Sequence, residues 1–262
     1  MSRVLITGGA SGLGAALAAR FAARGDRVLV TDLKEPESLP AGAVFQRLDT
    51  TAEEDWSLAL DRVRDDLGGL DVLVNNAGIA AGGRIDRLSA DHWQRVLSVN
   101  VLGVVNGCRT FTPLFKQQGS GHLVNVASAA GLLHPPAMSS YNASKAAVVA
   151  LSETLRHELR PWGVNVSVVC PTFFRTNLAA SMSGDDPMME QVAARLINKA
   201  PLGADEIAAN VIKSLDSRTF LITPDRAGRV AAWTKRFARA LYDRKMFALG
   251  AKIRRGELDE VK

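Results

Sequence analysis

Long apolar runs are missing from this chain. No stretch approaches the ~20 consecutive apolar residues of a membrane-spanning helix, and runs such as Ala146 to Leu151 have the length of a core segment. Cysteine is scarce: Cys108 and Cys170 stand far apart with no pairing pattern, which argues against a disulfide framework and for buried thiols in a reducing compartment. The histidines, His92, His122, His134 and His157, lack metal-ligand spacing, so no metal site is expected. No Gly-x-Ser-x-Gly elbow occurs, which leaves a serine hydrolase unsupported. Linkers, internal repeats and low-complexity tracts are also lacking, so one catalytic domain over 1–224 is expected. Ser2-Arg3 passes straight into Val4-Leu5-Ile6 with no signal-peptide pattern, and the expected location is the cytoplasm.

What is present has the balance of a globular protein, 47% hydrophobic and 23% charged over 262 residues. Seven short β-branched or apolar runs read as strands: Val4–Ile6, Val28–Thr31, Val44–Leu48, Val72–Val74, Leu123–Val126, Val164–Val169 and Phe220–Thr223. Helical patterns separate them at Leu13–Ala23, Ala52–Leu67, Ala90–Phe115, Tyr141–Trp162 and Ala204–Leu215. Nearly continuous apolar strands alternating with helices predict an α/β fold, a doubly wound Rossmann-type parallel sheet of about seven strands with helices on both faces.

Thr7-Gly8-Gly9-Ala10-Ser11-Gly12-Leu13-Gly14 follows the first strand and opens the first helix. Such a turn exposes backbone N–H groups and the positive helix end to a pyrophosphate. Its Gly-x3-Gly-x-Gly spacing departs from the usual dinucleotide fingerprint, and a Gly-rich turn alone is weak evidence. Asp32 ends the second strand, where a carboxylate would hydrogen-bond adenosine ribose hydroxyls and repel a 2′-phosphate. Ser11 adds no positive charge for that phosphate, and Lys34 is the one nearby cation. NAD(H) is therefore expected in preference to NADP(H). The alternative for Asp32 is a turn-forming residue at a strand end.

Tyr141 and Lys145 lie four residues apart at the start of a long helical pattern, on one face. A phenol ordinarily titrates near ~10. A neighbouring ammonium and an oxidised nicotinamide both favour the phenolate, which would draw that value down and let the tyrosine exchange a proton with a substrate oxygen. Two such residues on one helix could also coincide by chance. With the glycine loop, however, the chain resembles the short-chain dehydrogenase/reductase family over residues 3–224. The carrying elements are Gly8, Gly12 and Gly14; Asn75-Asn76-Ala77-Gly78 after the fourth strand; Asn100 within Ser98-Val99-Asn100-Val101; the upstream Ser128; and the Tyr141/Lys145 pair.

The resemblance implies roles. Tyr141 is the general acid/base, Lys145 binds the nicotinamide ribose and lowers the tyrosine pKa, and Ser128 holds the substrate oxygen. Asn100 holds a water linking Lys145 to solvent. The implied cofactor contacts are Gly8, Ser11, Gly12, Leu13, Gly14, Asp32, Asp49, Asn76, Ala77, Gly78, Tyr141, Lys145, Pro171 and Thr176. Ser128 could instead be a small residue at a strand exit, and Asn100 a local helix irregularity. One position departs from the family pattern: Thr172 stands after Pro171 where glycine is usual.

The same resemblance places the substrate among the Ser128–Tyr141 segment, the segment after Pro171 and a lid at about 179–203. These contribute Leu132, Leu133, Pro135, Met138, Phe173, Phe174, Met182, Met188, Met189, Leu196 and Ile197, with Arg175 and Arg195 as candidate cations. A hydrophobic secondary alcohol or ketone is the expected substrate, against the alternative that these residues only pack the lid. A 3-oxoacyl thioester reductase and a non-catalytic dinucleotide sensor are the other readings. Residues 225–262 form a basic amphipathic extension. From Arg226 to Arg255 there are ten basic residues and one acid, a net +9 in a chain of net +5. Val230, Trp233, Phe237 and Leu241 make an apolar stripe on it. Packing of this extension onto protein, as a cap on the active-site mouth or on a neighbouring subunit, is favoured over peripheral contact with an anionic membrane. No nucleic-acid module accompanies the charge, and a homodimer or homotetramer is the implied assembly.

Overall fold

The computed structural model describes residues 1–176 and 186–257. All seven expected strands form: β1 (Arg3–Thr7), β2 (Arg27–Asp32), β3 (Ala43–Arg47), β4 (Val72–Asn75), β5 (Gly121–Val126), β6 (Val164–Val169) and β7 (Leu221–Ile222). They pair in parallel in the order β3-β2-β1-β4-β5-β6-β7. The direction of winding reverses beside β1, so a crevice opens beyond the carboxyl ends of β1 and β4.

Period-2 alternation explains why both faces are covered. Val4 and Ile6 enter one apolar cluster with Val28, Val30, Val74 and Val124, while Leu5 enters the other with Leu29, Leu73 and Leu123. On the first side lie α1 (Gly12–Ala23), with Leu13 and Leu17, and α8 (Ala204–Asp216), with Ile207 and Val211. On the second, Trp56 of α2 (Glu53–Arg62), Phe111 and Phe115 of α4 (Gly103–Gln118) and Val148 of α6 (Ser139–Leu159) fill the core. The Trp56 and Phe111 rings meet edge to face at 6.3 Å.

The pattern over Ala90–Phe115 predicts one helix, but the structure divides it. Between α3 (Ala90–Leu97) and α4 the chain makes a widened π turn over Ser98–Leu102. Asn100 sits at its centre, fully buried. Its side chain accepts the Ile79 N–H at 2.9 Å and donates to the Ile79 carbonyl at 3.0 Å, bonds that compensate for the irregular turn. A one-turn helix α5 (Ala130–Leu133) lies in the segment between β5 and α6.

Of the expected lid, 179–185 lies outside the described residues, as does Met182. The remainder is α7 (Pro187–Asn198), tied to the body by a bidentate pair between Arg84 and the buried Asp186, at 2.7 and 3.1 Å. That guanidinium holds the Asp186 carboxyl below the usual carboxylate range.

The extension forms two helices, α9 (Arg226–Phe237) and α10 (Arg239–Arg255), broken at Ala238. It packs on the body, but not through the expected stripe: Val230, Trp233, Phe237 and Leu241 are exposed. The opposite side makes the contacts. Lys235 Nζ donates to the Leu132 carbonyl and meets His134 Nδ1, the Tyr242 hydroxyl donates to the Leu133 carbonyl, and Ile253 packs on Met189. These polar anchors outweigh the apolar stripe in orienting the helices, because they satisfy carbonyls at the end of α5. No described helix is long and apolar enough to cross a membrane.

Candidate active site

The loop after β1 is closed by glycine geometry. Gly8 and Gly12 have φ of +62° and +54°. A Cβ on Gly14 would stand 2.2 Å from the Gly8 carbonyl oxygen, and one on Gly12 would stand 2.5 Å from Thr176 Oγ1, so Thr176 lies directly over the turn. Ser11 is the N-cap of α1, yet its hydroxyl makes no capping bond, and the first turn carries no acid. The N-terminal N–H groups and an uncommitted hydroxyl thus face the crevice, a cradle that fits a dinucleotide pyrophosphate. Asn76 braces it, donating to the carbonyls of Thr7 at 2.9 Å and Gly8 at 3.0 Å, while Thr7 Oγ1 accepts the N–H groups of Asn76 and Ala77, each at 3.0 Å. The Asp32 carboxylate accepts the Ala10 N–H at 3.0 Å and the Leu33 N–H at 2.7 Å and lines the crevice. Asp49, also on the wall, holds Thr51 through its N–H at 2.9 Å and its hydroxyl at 2.7 Å.

Tyr141 lies in the first turn of α6 with Lys145 one turn further on, both buried. The Lys145 ammonium lies 5.8 Å from the Tyr141 ring centre and donates to the Val126 carbonyl at 3.0 Å. Ser128 leaves the end of β5 and is pinned by the Ala130 N–H at 3.1 Å. A Cβ added to Gly78 would stand 3.0 Å from Asn100 Oδ1 and 3.4 Å from Lys145 Nζ, so Gly78 fills the space between them. Asn100 also reaches Ser144 Oγ at 3.3 Å. The four residues singled out in the sequence therefore converge.

Their electrostatics differ in one respect from expectation. Among the protein's own groups, burial pushes the Tyr141 phenol up, and a hydrogen bond with Ser128 opposes it. Burial also pushes Lys145 down to about 8, so the ammonium has itself lost much of its preference for the proton. Chain groups alone do not bring the phenol toward neutrality.

Cradle and catalytic cluster open into one cavity of about 1120 Å³, larger than the ~300–1,000 Å³ of a single small-molecule site and suited to a cofactor with a substrate. Leu133, Pro135, Met138, Phe173, Phe174 and Ile197 line it as expected. Others do not: Leu132 joins the main core, Met188 is exposed, and Met189 packs under Ile253. Leu196 is not on the wall either. Arg175 is no substrate cation, since it donates to the Ala200 and Pro201 carbonyls, each at 2.6 Å. The sequence left the extension open between a cap on the active-site mouth and a contact with a neighbouring subunit, and it named no cavity-facing residue; here the extension forms the roof. Ala231, Thr234, Tyr242 and Met246 of the extension line the same cavity, together with Arg226 and Lys245. The basic pattern was the visible signal, but nothing local in it says which face turns inward.

A crevice at the switch of a parallel sheet, a glycine cradle and a buried Tyr/Lys/Ser cluster define a nicotinamide-dinucleotide oxidoreductase. Residues 2–187 match the family model described as short chain dehydrogenase, and the chain belongs to that family, whose members act on CH–OH/C=O pairs. It is 35% identical over 227 residues, 81% of this chain and 90% of the relative, to a 2-(R)-hydroxypropyl-CoM dehydrogenase of Xanthobacter autotrophicus. It is 36% identical over 178 residues, 66% of this chain and 68% of the relative, to a 3-alpha-(or 20-beta)-hydroxysteroid dehydrogenase of Mycobacterium tuberculosis. Among solved structures, it resembles a short-chain dehydrogenase/reductase of Burkholderia phymatum in complex with NAD, with a TM-score of 0.82 and 32% identity over 92% of this chain and 94% of that one.

Proposed function

We propose that the protein uses NAD(H) in preference to NADP(H) to interconvert a hydrophobic secondary alcohol and its ketone. The observation that carries this reading is the convergence of Tyr141, Ser128 and Lys145 on a largely apolar cavity that also holds Asp32. When bound, the nicotinamide accepts or returns the hydride. The chain's residues do the rest. Tyr141 takes the proton from the substrate hydroxyl or gives it to the ketone oxygen, and Ser128 fixes that oxygen beside it. Lys145 holds the nicotinamide ribose, and its charge, with that of the oxidised ring, offsets the burial that keeps the phenol protonated. The Asn100 carboxamide is occupied by Ile79 and Ser144, so its contribution is the shape of the widened turn, where a water passes protons between Lys145 and solvent.

Gly8, Ser11, Gly12, Leu13, Gly14 and Thr176 hold the pyrophosphate, Asp32 the adenosine ribose, Asp49 the adenine, and Asn76, Ala77, Gly78 and Pro171 the wall around them. The outward stripe of Trp233 and Phe237 supports assembly into a homodimer or homotetramer, with an anionic lipid surface as the competing occupant. NAD⁺ and NADP⁺ reduction by secondary alcohols of rising chain length tests the function. Rates that climb with length on NAD⁺ alone support it. Faster turnover of small hydrophilic alcohols overturns the substrate class.

A further inference from the structure

The roof of the cavity carries charge without partners. Arg226, in the first turn of α9, and Lys245, midway along α10, come from different helices but line the same cavity as Tyr141. Neither makes an ion pair or a side-chain hydrogen bond among the described residues. The acids nearest in sequence are all committed elsewhere. Asp225 gives one oxygen to the Thr172 N–H at 3.0 Å and the other to the Gly228 N–H at 2.7 Å. Asp243 binds Arg239 at 2.8 Å and Glu257 binds Arg255 at 2.7 Å. Around the cavity wall, the only described acids are Asp32 and Asp49, which belong to the dinucleotide cradle. Lys235, beside the roof, meets no carboxylate at ion-pair distance among the described residues: it is held by the Leu132 carbonyl, by Nδ1 of His134, whose protonation burial and Lys235 both disfavour, and by the face of the Tyr242 ring at 6.0 Å. Away from the dinucleotide cradle the described cavity wall is therefore largely apolar, with uncompensated positive charge on the extension's side.

We propose that the substrate is an amphiphile, an apolar chain or ring bearing the reacting hydroxyl and, remote from it, a carboxylate or equivalent anion that binds Arg226 and Lys245. This rests on the proposed alcohol/ketone chemistry and narrows it. The cofactor's pyrophosphate has its own cradle at the start of α1, so the roof cations are left for the substrate. Because both side chains are exposed, each contributes modestly and in a salt-dependent way. Together they amount to a preference of about tenfold.

The test measures binding and turnover separately. Secondary-hydroxy fatty acids of graded chain length, and their methyl esters, are titrated against the enzyme–NADH complex by NADH fluorescence and assayed for NAD⁺ reduction. Acids should bind about tenfold more tightly than their esters, with the gap shrinking as salt rises. Arg226→Ala and Lys245→Ala should each remove about threefold of it, and the double variant all of it, with the Kd for NADH unchanged. Equal binding of acids and esters overturns the proposal. So does a loss of NADH affinity in the variants that matches the loss of acid affinity, since the cations would then serve the cofactor. Acid-selective binding without turnover of any alcohol upholds the anion site and overturns the alcohol chemistry instead.

Discussion

Asp225 accepts the backbone N–H of Thr172 at 3.0 Å while capping α9 through Gly228 at 2.7 Å. The one position that departs from the family pattern after Pro171 is thus held by the C-terminal extension. A Cβ on Gly228 would stand 3.0 Å from the Thr172 methyl, so the two segments are in close contact as well as hydrogen-bonded. Asp225→Ala strips a cap and orphans two N–H groups, an expected loss of about 1–3 kcal/mol in denaturant unfolding. KM should rise for both cofactor and substrate, because Pro171 and Thr172 line the cavity. Asp225→Asn, which keeps one acceptor, should fall between. Unchanged KM values in Asp225→Ala would show that the extension does not position this wall.

Tyr141→Phe removes the proton donor and acceptor but leaves the buried ring. The expected result is a fall of roughly 10²–10⁴ in kcat, with the Kd for NADH little altered. Single-turnover rates in a stopped-flow instrument read the chemical step directly. A kcat within a few-fold of the parent would remove Tyr141 from the chemistry.

Burial sets the pH dependence of stability around Lys145. Its folded pKa of about 8 lies below its ordinary 10.5, so between these values the unfolded chain holds more protons than the folded one. The penalty for burying the ammonium is therefore complete below pH 8 and relieved as the pH rises toward 10.5. Lys145→Met escapes it. Measured without added dinucleotide, the Tm of this variant relative to the parent should fall steadily from neutral pH into that window. A difference that stays flat would mean that Lys145 is not buried as an ammonium.

Asp32→Ser removes the carboxylate proposed to hold the ribose and also frees the N–H groups of Ala10 and Leu33. The kcat/KM for NAD⁺ should drop roughly tenfold or more, the worth of hydrogen bonds to a charged group. The value for NADP⁺ should rise as repulsion of its phosphate is lost. Parallel losses for both cofactors would reduce Asp32 to a brace for the loop.

Trp233 and Phe237, 63% and 64% exposed with their rings 5.3 Å apart, form an apolar patch that the described residues leave uncovered. Trp233→Ser with Phe237→Ser should leave thermal stability nearly unchanged and lower the mass measured by light scattering. If the mass holds but co-sedimentation with anionic vesicles is lost, the patch serves lipid.

Much of the fold was legible because its signals are local. Val4–Ile6 and Val28–Thr31 are β-branched or apolar runs too short for helices, and the glycine turn, weak evidence by itself, stands between a strand and a helix. Asn100 was legible only through resemblance: nothing in Ser98–Leu102 announces a widened turn, which depends on Ile79, far away in the chain, offering both a donor and an acceptor. The same holds for the buried amide chain in which Asn75 donates to Asn125 at 2.9 Å and Asn125 donates to Ser152 at 3.0 Å. Such polar pairs form across strands and leave no periodic trace.

By itself the sequence determined the parallel sheet, the glycine cradle and the pairing of Tyr141 with Lys145, since each follows from backbone sterics or from spacing along one element. Only the tertiary structure decided which face of the extension turns inward. A helix pattern records an apolar stripe but not which surface the body offers it, and here the carbonyls of Leu132 and Leu133 recruited Lys235 and Tyr242. Trp233, Phe237 and Leu241 were left outside, and Val230, Arg226 and Lys245 were carried to the cavity that Tyr141 also lines.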